Sequence, residues 1–393
     1  MPNYVARLWA PQDRGLLSSR DFKPGTYRAF VPDELELSLP VLSAHIEARL
    51  AEALGAVVRA DAHLGLSAKY LNHLLLRSES ISSSWIEGNR ITPKKLAIAE
   101  ALNVGNRVAL DVIGNVQATE AAIDSLASAP DISLDAICDL QQRIEPRLDA
   151  GLRKEQNWVG GTGFSPLRAE FVPPPETEVE RLMQNLCAFA SRREGNALLR
   201  AAIAHAQFET IHPFIDGNGR TGRALIHTIL KRSGVVKNSL LPISTQFAAQ
   251  PSAYIAGLTS FRAAPQELEA WVEYFAEAAE RSAAAAERLA IGVVALDEAN
   301  FFTLVEHRRI AGKSPAQPRA DAIVLKLLSE LAVHPVLTVK SAALAHAVSE
   351  PAAYKALLEL ESAGIMQRSK DHKGKLLCFT SDEHLRLIEE RTS

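Results

Sequence analysis

The chain has 393 residues, of which 47 % are hydrophobic, 23 % charged and 6 % aromatic, and its formal net charge is −3. This length exceeds what one small core needs and predicts two or three domains, while the balance of residue types is typical of helix-rich globular proteins and excludes general disorder. Because there is no basic excess, we do not expect the chain as a whole to be drawn to nucleic acid or to an anionic membrane.

The cysteines and the apolar segments exclude further classes. Cys138, Cys187 and Cys378 are far apart and lack CxxC spacing, so we expect neither a disulfide framework nor a zinc site. No stretch reaches the apolar length of a membrane span, and the N-terminal residues lack the pattern of a signal peptide. We therefore expect a cytoplasmic protein.

The N-terminal part of the chain predicts a helical lobe. Residues 1 to about 40 are punctuated by prolines and are expected to be irregular, and apolar positions three and four apart then predict a helix from Val41. Helix-compatible sequence follows over 66–102. We expect one helix to end near Gly88 and the next to begin with Thr92 as N-cap and a proline at its first position.

The middle of the chain predicts helices interrupted by one β-hairpin. Helical periodicity runs through residues 106–147. It breaks where glycines and Pro166 separate two short apolar runs, so a β-hairpin is expected over 159–172. The helices expected after it are 176–191, 197–211 and a third that follows a loop at 212–219 and ends near Arg232, with Gly234 as a C-cap position.

The C-terminal part predicts a separate small domain. Ala- and Glu-rich helices over about 265–310 precede a linker at 311–319. Three helices, a strand, a turn at 371–374 and a second strand are then expected, which is the order of a winged helix-turn-helix. The predicted fold class is mainly α, with a helical N-terminal lobe (1–105), a helical core with a β-hairpin and trailing helices (106–310) and a winged helix domain (320–393).

The segment 212–223 reads His-Pro-Phe-Ile-Asp-Gly-Asn-Gly-Arg-Thr-Gly-Arg and has the features of an anion site at a helix start. The N–H groups of residues 217–219 precede the helix at the positive end of its dipole, and glycines allow a phosphate to approach closely. Arg220 and Arg223 are three residues apart and add positive charge on the same helix face. A triphosphate would fit such a cradle.

Two side chains beside this cradle could carry out chemistry. Asp216 offers a hard oxygen ligand, which suits Mg²⁺ held between phosphates. His212 titrates near neutrality and could take the proton of a hydroxyl that attacks the α-phosphorus in line. The alternatives are a plain Asp-Gly-Asn-Gly turn, or a Ca²⁺ loop, which Arg220 excludes; His205 is expected to be a core histidine rather than a metal ligand.

The stretch 208–223 resembles the Fic signature, His-x-Phe-x-(Asp/Glu)-Gly-Asn-Gly-Arg-x-x-Arg, at every specified position. The resemblance extends over roughly residues 25–275 and, with the C-terminal domain, is similar to the bacterial three-part Fic proteins. It implies a protein adenylyltransferase with ATP as substrate, His212 as catalytic base and Asp216 as the Mg²⁺ ligand. The implied nucleotide-binding residues are Gly217, Asn218, Gly219, Arg220, Thr221, Gly222, Arg223 and Tyr254.

The resemblance also implies roles outside the signature. The hairpin at 159–172 resembles the family's flap, whose edge pairs with a strand of a target protein and presents its Ser, Thr or Tyr hydroxyl, although a purely structural hairpin is the alternative. Tyr254 matches a tyrosine beside the adenine, whereas Arg262 stands where some relatives have Asn. The implied partners are ATP and a target protein; self-modification and a homodimer are also compatible with the sequence.

A second motif, Ser83-Ser-Trp-Ile-Glu87-Gly88, resembles the family's inhibitory motif, (Ser/Thr)-x-x-x-Glu-(Gly/Asn). Ser83 and Glu87 are four residues apart and would share a helix face. A Glu87 carboxylate paired with Arg223 would occupy the guanidinium needed for the γ-phosphate and would leave the α-phosphorus misaligned. The resemblance therefore implies an autoinhibited enzyme.

Two other functions stay open at this point. The winged helix could bind DNA, with the Fic core as a nucleotide sensor, or the same active site could remove AMP if Glu87 oriented a water. A basic wing favours DNA, whereas three glutamates on the recognition helix disfavour the major groove and favour protein contact. The wing residues are Arg368, Lys370, Lys373 and Lys375, and the glutamates are Glu350, Glu359 and Glu361.

Overall fold

The computed structural model describes residues 3–10, 23–65, 68–88, 90–102, 113, 120, 123–161, 165–238, 240–263, 267–370 and 376–389. Over these residues the protein is mainly helical with two small sheets, which confirms the prediction of a mainly α fold. None of the described helices combines the length and the continuous apolar character that a membrane-spanning helix requires.

The elements are numbered in chain order. The strands are β1 (Asn3–Trp9), β2 (Gly25–Val31), β3 (Val336–Leu337), β4 (Gln367–Lys370) and β5 (Leu376–Thr380). The helices are α1 (Ala44–Gly65), α2 (Ala68–Ile86), α3 (Pro93–Leu102), α4 (Leu134–Ile144), α5 (Glu176–Ser191), α6 (Ala197–Ile211), α7 (Asn218–Arg232), α8 (Ile243–Ala249), α9 (Pro251–Arg262), α10 (Leu268–Ile310), α11 (Ile323–Ser329), α12 (Val339–Ala345), α13 (Glu350–Ser362) and α14 (Asp382–Glu389).

The chain divides into two compact units. The first comprises residues 1–55, 117–235 and 250–278, and the second comprises 56–116, 236–249 and 279–393. Each unit is thus assembled from three separate stretches of sequence. Composition shifts along the chain could not reveal such a division, because it depends on which distant helices pack together.

The expectation that residues 1 to about 40 are irregular is wrong for 3–9 and 25–31, while residues 32–40 contain no helix or strand. β1 and β2 form an antiparallel pair, with Asn3 opposite Val31 and Trp9 opposite Gly25. The prolines that suggested irregular structure, such as Pro24 and Pro32, flank the strands instead of interrupting them. One face of β2 is buried through Tyr27 and Ala29, which pack with Val172, so tertiary contacts stabilise a pair that is marginal alone.

The first unit is built around α6. Every residue from Ala197 to Ile211 is buried, so α6 is not amphipathic as the sequence predicted but is surrounded by protein on all sides. Five of its buried residues are polar or charged: Arg200, His205, Gln207, Glu209 and Thr210. Because buried polar groups need hydrogen-bond partners, these side chains indicate that several polar contacts are made within the interior around α6.

The segment predicted as a β-hairpin doubles back with little regular pairing. Val159 and Phe171 form one antiparallel bridge, in which the Val159 N–H donates to the Phe171 carbonyl at 2.8 Å. A 3₁₀ turn over Pro166–Arg168 follows Ser165, whose hydroxyl accepts from the Leu167 N–H. Proline lacks an N–H for a strand ladder, so the described part of this segment forms a bridged loop; residues 162–164 lie outside the described residues.

In the second unit, α11 to β5 follow the predicted order of three helices and paired strands. The sheet order is β3-β5-β4 with antiparallel pairs, and the predicted turn at 371–374 lies outside the described residues. Thr338 caps α12 in a capping box with Ser341, and Ser349 caps α13. These elements share a core with α3, because Ala97 packs with Val336, Cys378 and Leu385.

Candidate active site

His212 lies at the point where α6 ends. Its backbone has φ 49° and ψ 61°, a left-handed conformation that stops the helix, and its N–H donates to the Phe208 carbonyl at 2.9 Å. This conformation costs an L residue about 1–2 kcal/mol, although histidine tolerates it better than most. The imidazole is 21 % exposed, and its Nδ1 lies 4.0 Å from Oε2 of Glu209.

Asn218 closes the loop that follows His212. Its Oδ1 accepts from the Phe214 N–H at 2.8 Å, and its Nδ2 donates to the Phe214 carbonyl at 2.8 Å. Phe214 is fully buried, with its ring centroid 6.2 Å from that of Phe208. The buried Phe214 ring therefore anchors the loop, and the Asn218 side chain closes it through hydrogen bonds to the Phe214 backbone.

The helix start predicted to bind phosphates is present. α7 begins at Asn218, and its N-cap is Gly217, which has φ 80° and provides no side chain to cap the helix. The first N–H groups of a helix lack intrahelical partners and, with the dipole, favour anions. Asp216 adjoins them: its Oδ1 accepts from the Gly217 N–H at 2.6 Å, and its side chain is 65 % exposed.

The two arginines of the signature are both buried, Arg220 at 5 % and Arg223 at 1 % exposure. The Arg220 guanidinium forms an ion pair with Glu145, a buried glutamate just after α4, and lies 3.7 Å from Asp216. Glu145 also lies close to Gly217, where an added Cβ would be 3.2 Å from its Cγ. A carboxylate outside the signature therefore orients one of its arginines.

Gly222 allows α7 to pack closely on α6. A Cβ at this position would lie 2.8 Å from Glu209 Oε1, 2.9 Å from Phe208 Cδ1 and 3.2 Å from His205 Nδ1. His205 is fully buried with its Nε2 2.8 Å from the Tyr254 hydroxyl, and burial lowers the pKa of its imidazole from 6.5 to about 3. It is a neutral core histidine, as expected, and Tyr254 holds it in place.

Arg262 connects α9 with α6 and with the segment at 159–172. Its Nε donates to the Thr210 hydroxyl at 3.1 Å, its Nη2 donates to the Glu209 carbonyl at 3.1 Å, and its guanidinium stacks 3.8 Å from the centroid of the Phe171 ring. Burial lowers the pKa of this guanidinium to about 10. These contacts give Arg262 a structural role that the sequence left open.

The motif predicted to be inhibitory lies at the end of α2. Ser83 is buried within the helix, and Gly88 has φ 83°. The helix ends at Ile86, and the exposed Glu87 is the first residue of the turn that follows. Glycine at 88 permits this left-handed turn.

A predicted Mg²⁺ ligand is compatible with this geometry. Within the ranges described, no three His, Cys, Asp or Glu side chains cluster as a metal site. One carboxylate nevertheless suits Mg²⁺ when phosphates and water complete the coordination, and Asp216 is largely exposed beside the anion-binding helix start. The carboxylate thus fits an ion that is shared with a phosphate.

The residues outside the signature that hydrogen-bond to this loop or to α7 were not predicted from the sequence. Gln141 donates to the Asp216 carbonyl at 3.0 Å, and Glu145, Arg153 and Asn157 also contact the loop or its helix. They lie in or after α4, more than fifty positions from the signature, and no short motif marks them. The sequence offers one indication of them, the polar run at 153–157 between the predicted helical segment 106–147 and the predicted hairpin at 159–172.

Comparison with known proteins agrees with the signature. The family model described as Fic/DOC family matches residues 131–230, which include the whole loop and its supporting residues. The chain contains a Fic/DOC family domain. This domain includes α4, α5 and α6 and all but the last two residues of α7, so the signature and the central buried helix belong to one family unit.

Relatives of the Fic/DOC domain have named activities. The protein adenylyltransferase Fic of Drosophila grimshawi is 32 % identical over 202 residues, which is 47 % of this chain and 38 % of that protein. The protein adenylyltransferase fic-1 of Caenorhabditis elegans is 33 % identical over 136 residues, 34 % of this chain and 25 % of that protein. The chain thus spans well under half the length of these relatives.

A solved structure extends the likeness in fold. A Fic family protein from Desulfovibrio desulfuricans G20 aligns with a TM-score of 0.52 and 19 % identity, covering 87 % of this chain and 97 % of that one. At this identity the alignment reports on fold alone. It extends the likeness well beyond the residues that match the family model.

Proposed function

We propose that this chain is a protein adenylyltransferase that transfers AMP from ATP to a Ser, Thr or Tyr hydroxyl of a protein and releases pyrophosphate. The observation that carries the proposal is the turn from α6 to α7, in which a partly exposed His212, an exposed Asp216 and the N–H groups at 217–219 occupy one short loop. The names of the relatives support the same activity.

The proposed chemistry assigns one task to each part of the loop. His212 accepts the proton of the acceptor hydroxyl as its oxygen bonds to the α-phosphorus, and the bond from that phosphorus to the bridging oxygen of the β-phosphate breaks. The helix start and Arg223 hold the phosphates, and Arg220, fixed by Glu145, adds positive charge beside them. Asp216 would hold Mg²⁺, which neutralises charge on the phosphates.

Protein substrates are proposed to bind along residues 159–172. Val159 and Phe171 are bridged, the Phe30 N–H donates to the Val172 carbonyl at 2.9 Å, and Arg262 stacks on Phe171, so the base of this segment is well anchored. An anchored segment with extended residues can pair with a strand of another protein through its backbone. Such pairing would bring a hydroxyl to the site without requiring one particular sequence.

Autoinhibition by Glu87 through Arg223 remains a proposal. It is supported by the motif itself, by the turn at Gly88 that ends α2 beside Glu87, and by the burial of the Arg223 guanidinium, because a buried charge requires a counter-charge. On this view Glu87→Gly releases the restraint. The same glutamate would be needed for removal of AMP, the alternative activity of this site.

The three-part organisation is proposed with the boundaries 1–105, 106–310 and 320–393. For the last part, the order of α11, β3, α12, α13, β4 and β5 supports a winged helix. Protein contact is favoured over DNA binding, because Arg368 pairs with Glu361 at 2.5 Å, and Arg308 and Lys313 pair with Glu359 at 2.6 and 2.8 Å. Cations already paired with carboxylates attract phosphates poorly.

Labelling with two forms of ATP tests the proposed reaction. Glu87→Gly protein is incubated with ATP labelled at the α- or the γ-phosphate, and the double variant Glu87→Gly, His212→Ala serves as control. AMP transfer gives protein-bound α-label without γ-label, and none in the control. Incorporation of γ-label would show phosphate transfer and would contradict the proposal.

A further inference from the structure

Arg153 is a buried arginine whose side-chain hydrogen bonds, among the residues that the structure describes, all go to backbone carbonyls. Its side chain is 3 % exposed, and it donates from Nη1 to Glu155 at 3.0 Å and from Nη2 to Pro174 at 2.5 Å and to Ile211 at 3.4 Å. Its Nε donates to the carbonyl of His212 at 2.9 Å. A buried charge thus faces four backbone carbonyls, two of which, those of Ile211 and His212, lie at the end of α6.

The same loop is bound from the backbone of Arg153 and from Asn157. The Arg153 N–H donates to the Pro213 carbonyl at 2.9 Å. Asn157 Nδ2 donates to the carbonyls of His212 at 3.1 Å and Phe214 at 2.9 Å. The carbonyls of 211 to 214, which α6 can no longer use, therefore all have donors from this one short segment.

These contacts bear on the strained residue of the loop. The left-handed backbone conformation of His212 costs free energy. Such conformations persist only where several surrounding contacts hold the backbone in place. The His212 carbonyl receives two donors, from Arg153 and Asn157, in the orientation that the left-handed backbone gives it. Backbone orientation at 212 in turn decides where the imidazole points.

We infer that Arg153 is a positioning residue, which fixes the backbone of His212 in its left-handed conformation and so aims the imidazole at the reacting hydroxyl. Asn157 assists by donating to the same carbonyl. The part concerning the reaction rests on the proposed function, whereas the part concerning the backbone does not. Lysine cannot replace this arginine, because one ammonium group cannot reach four carbonyls that a planar guanidinium spans.

The test compares Arg153→Lys with a matched control, Arg200→Lys, both in the full chain and in the Glu87→Gly background. Arg200 is also 3 % exposed and donates to two backbone carbonyls, of Phe189 at 3.1 Å and Glu194 at 2.7 Å, but it lies at the start of α6. Both substitutions keep the charge and remove the same guanidinium geometry.

Two readouts separate positioning from general destabilisation. Hydrogen exchange of peptides covering 208–223 is expected to rise at least 10-fold in Arg153→Lys and to be unchanged in Arg200→Lys at equal distance from the melting temperature. In Arg153→Lys, the kcat of AMP transfer is expected to fall at least 10-fold. The KM for ATP is expected to change by less than about 3-fold, because the helix start still binds phosphates.

The outcomes are distinguishable. Unchanged exchange at 208–223 in Arg153→Lys, or an equal rise in Arg200→Lys, overturns the inference. If exchange rises only in Arg153→Lys while no protein, including Glu87→Gly alone, transfers AMP, then the positioning role stands and the proposed function fails.

Discussion

At the scale of single residues, the loop between α6 and α7 depends on Asn218. Replacing it with Ala removes both 2.8 Å hydrogen bonds to Phe214 and leaves the buried Phe214 N–H unpaired, whereas the Phe214 carbonyl keeps its donor from Asn157. We expect a loss of about 1–3 kcal/mol in the free energy of unfolding, measured by denaturant titration, together with loss of AMP transfer. An equal or larger stability in Asn218→Ala than in wild type contradicts this role.

Gly222 gives a second prediction at this scale. Gly222→Ala places a Cβ 2.8 Å from Glu209 Oε1 and 2.9 Å from Phe208 Cδ1, and we expect it to lower the free energy of unfolding by about 1–3 kcal/mol despite alanine's better helix propensity. Gly292→Ala in α10 is the control, since its Cβ would meet only the end of Leu387 at 3.3 Å. If Gly222→Ala is as stable as Gly292→Ala, the interface between α7 and α6 accommodates a methyl group at position 222 and this prediction is wrong.

His205 predicts the pH dependence of stability. Its folded pKa of about 3 is below the unfolded value of 6.5, so between these values the unfolded chain binds a proton that the native protein does not. The contribution of this group to the free energy of unfolding is fully present above pH 6.5. It is lost as the pH falls from 6.5 towards 3, by up to about 1.4 kcal/mol per pH unit. His205→Gln should reduce that slope in urea titrations between pH 4 and 6; an unchanged slope would mean that His205 is not buried in its neutral form.

At the scale of elements, Arg262 is expected to hold the segment 159–172 in place. Arg262→Met keeps an apolar chain over Phe171 but removes the hydrogen bonds to Thr210 and to the Glu209 carbonyl. Hydrogen exchange over 165–172 should increase, and transfer to a protein target should fall more than hydrolysis of ATP. Equal exchange in the variant and the parent would assign Arg262 to the nucleotide instead.

How much of these elements the sequence predicts depends on whether local signals decide them. Helices with a cap or a proline at the start were predicted well: α5 and α6 have the expected bounds, and Thr92, Thr338 and Ser349 lie at the predicted starts. The strands β1 and β2 were missed, because their stability comes from burial against Val172, far along the chain. Arg153 and Glu145 were missed for the same reason, since an arginine or glutamate has no sequence signature of being buried.

At the scale of the whole molecule, the C-terminal elements are packed with the segment that precedes the Fic/DOC domain. Within the second unit, Lys94 of α3 donates to both carboxylate oxygens of Asp382 at 2.8 and 3.0 Å, next to the shared core of Ala97 and Leu385. α3 follows the turn that carries Glu87. A displacement of α3 is therefore expected to move the turn that carries the proposed inhibitory glutamate.

Charge reversal tests that connection. Lys94→Glu should raise AMP transfer by up to about 5-fold, the equivalent of about 1 kcal/mol for a partly exposed ion pair. The double reversal Lys94→Glu, Asp382→Lys should restore the restrained rate. If the single and double variants have equal rates, α3 does not transmit a signal from Asp382.

The most direct measurement is the intact mass of the Glu87→Gly protein after incubation with ATP and Mg²⁺, with and without a cell lysate, beside the Glu87→Gly, His212→Ala double variant. The account predicts a gain of one AMP on the protein or on a lysate protein, abolished in the double variant. No mass gain on any protein, or the same gain without His212, would contradict it.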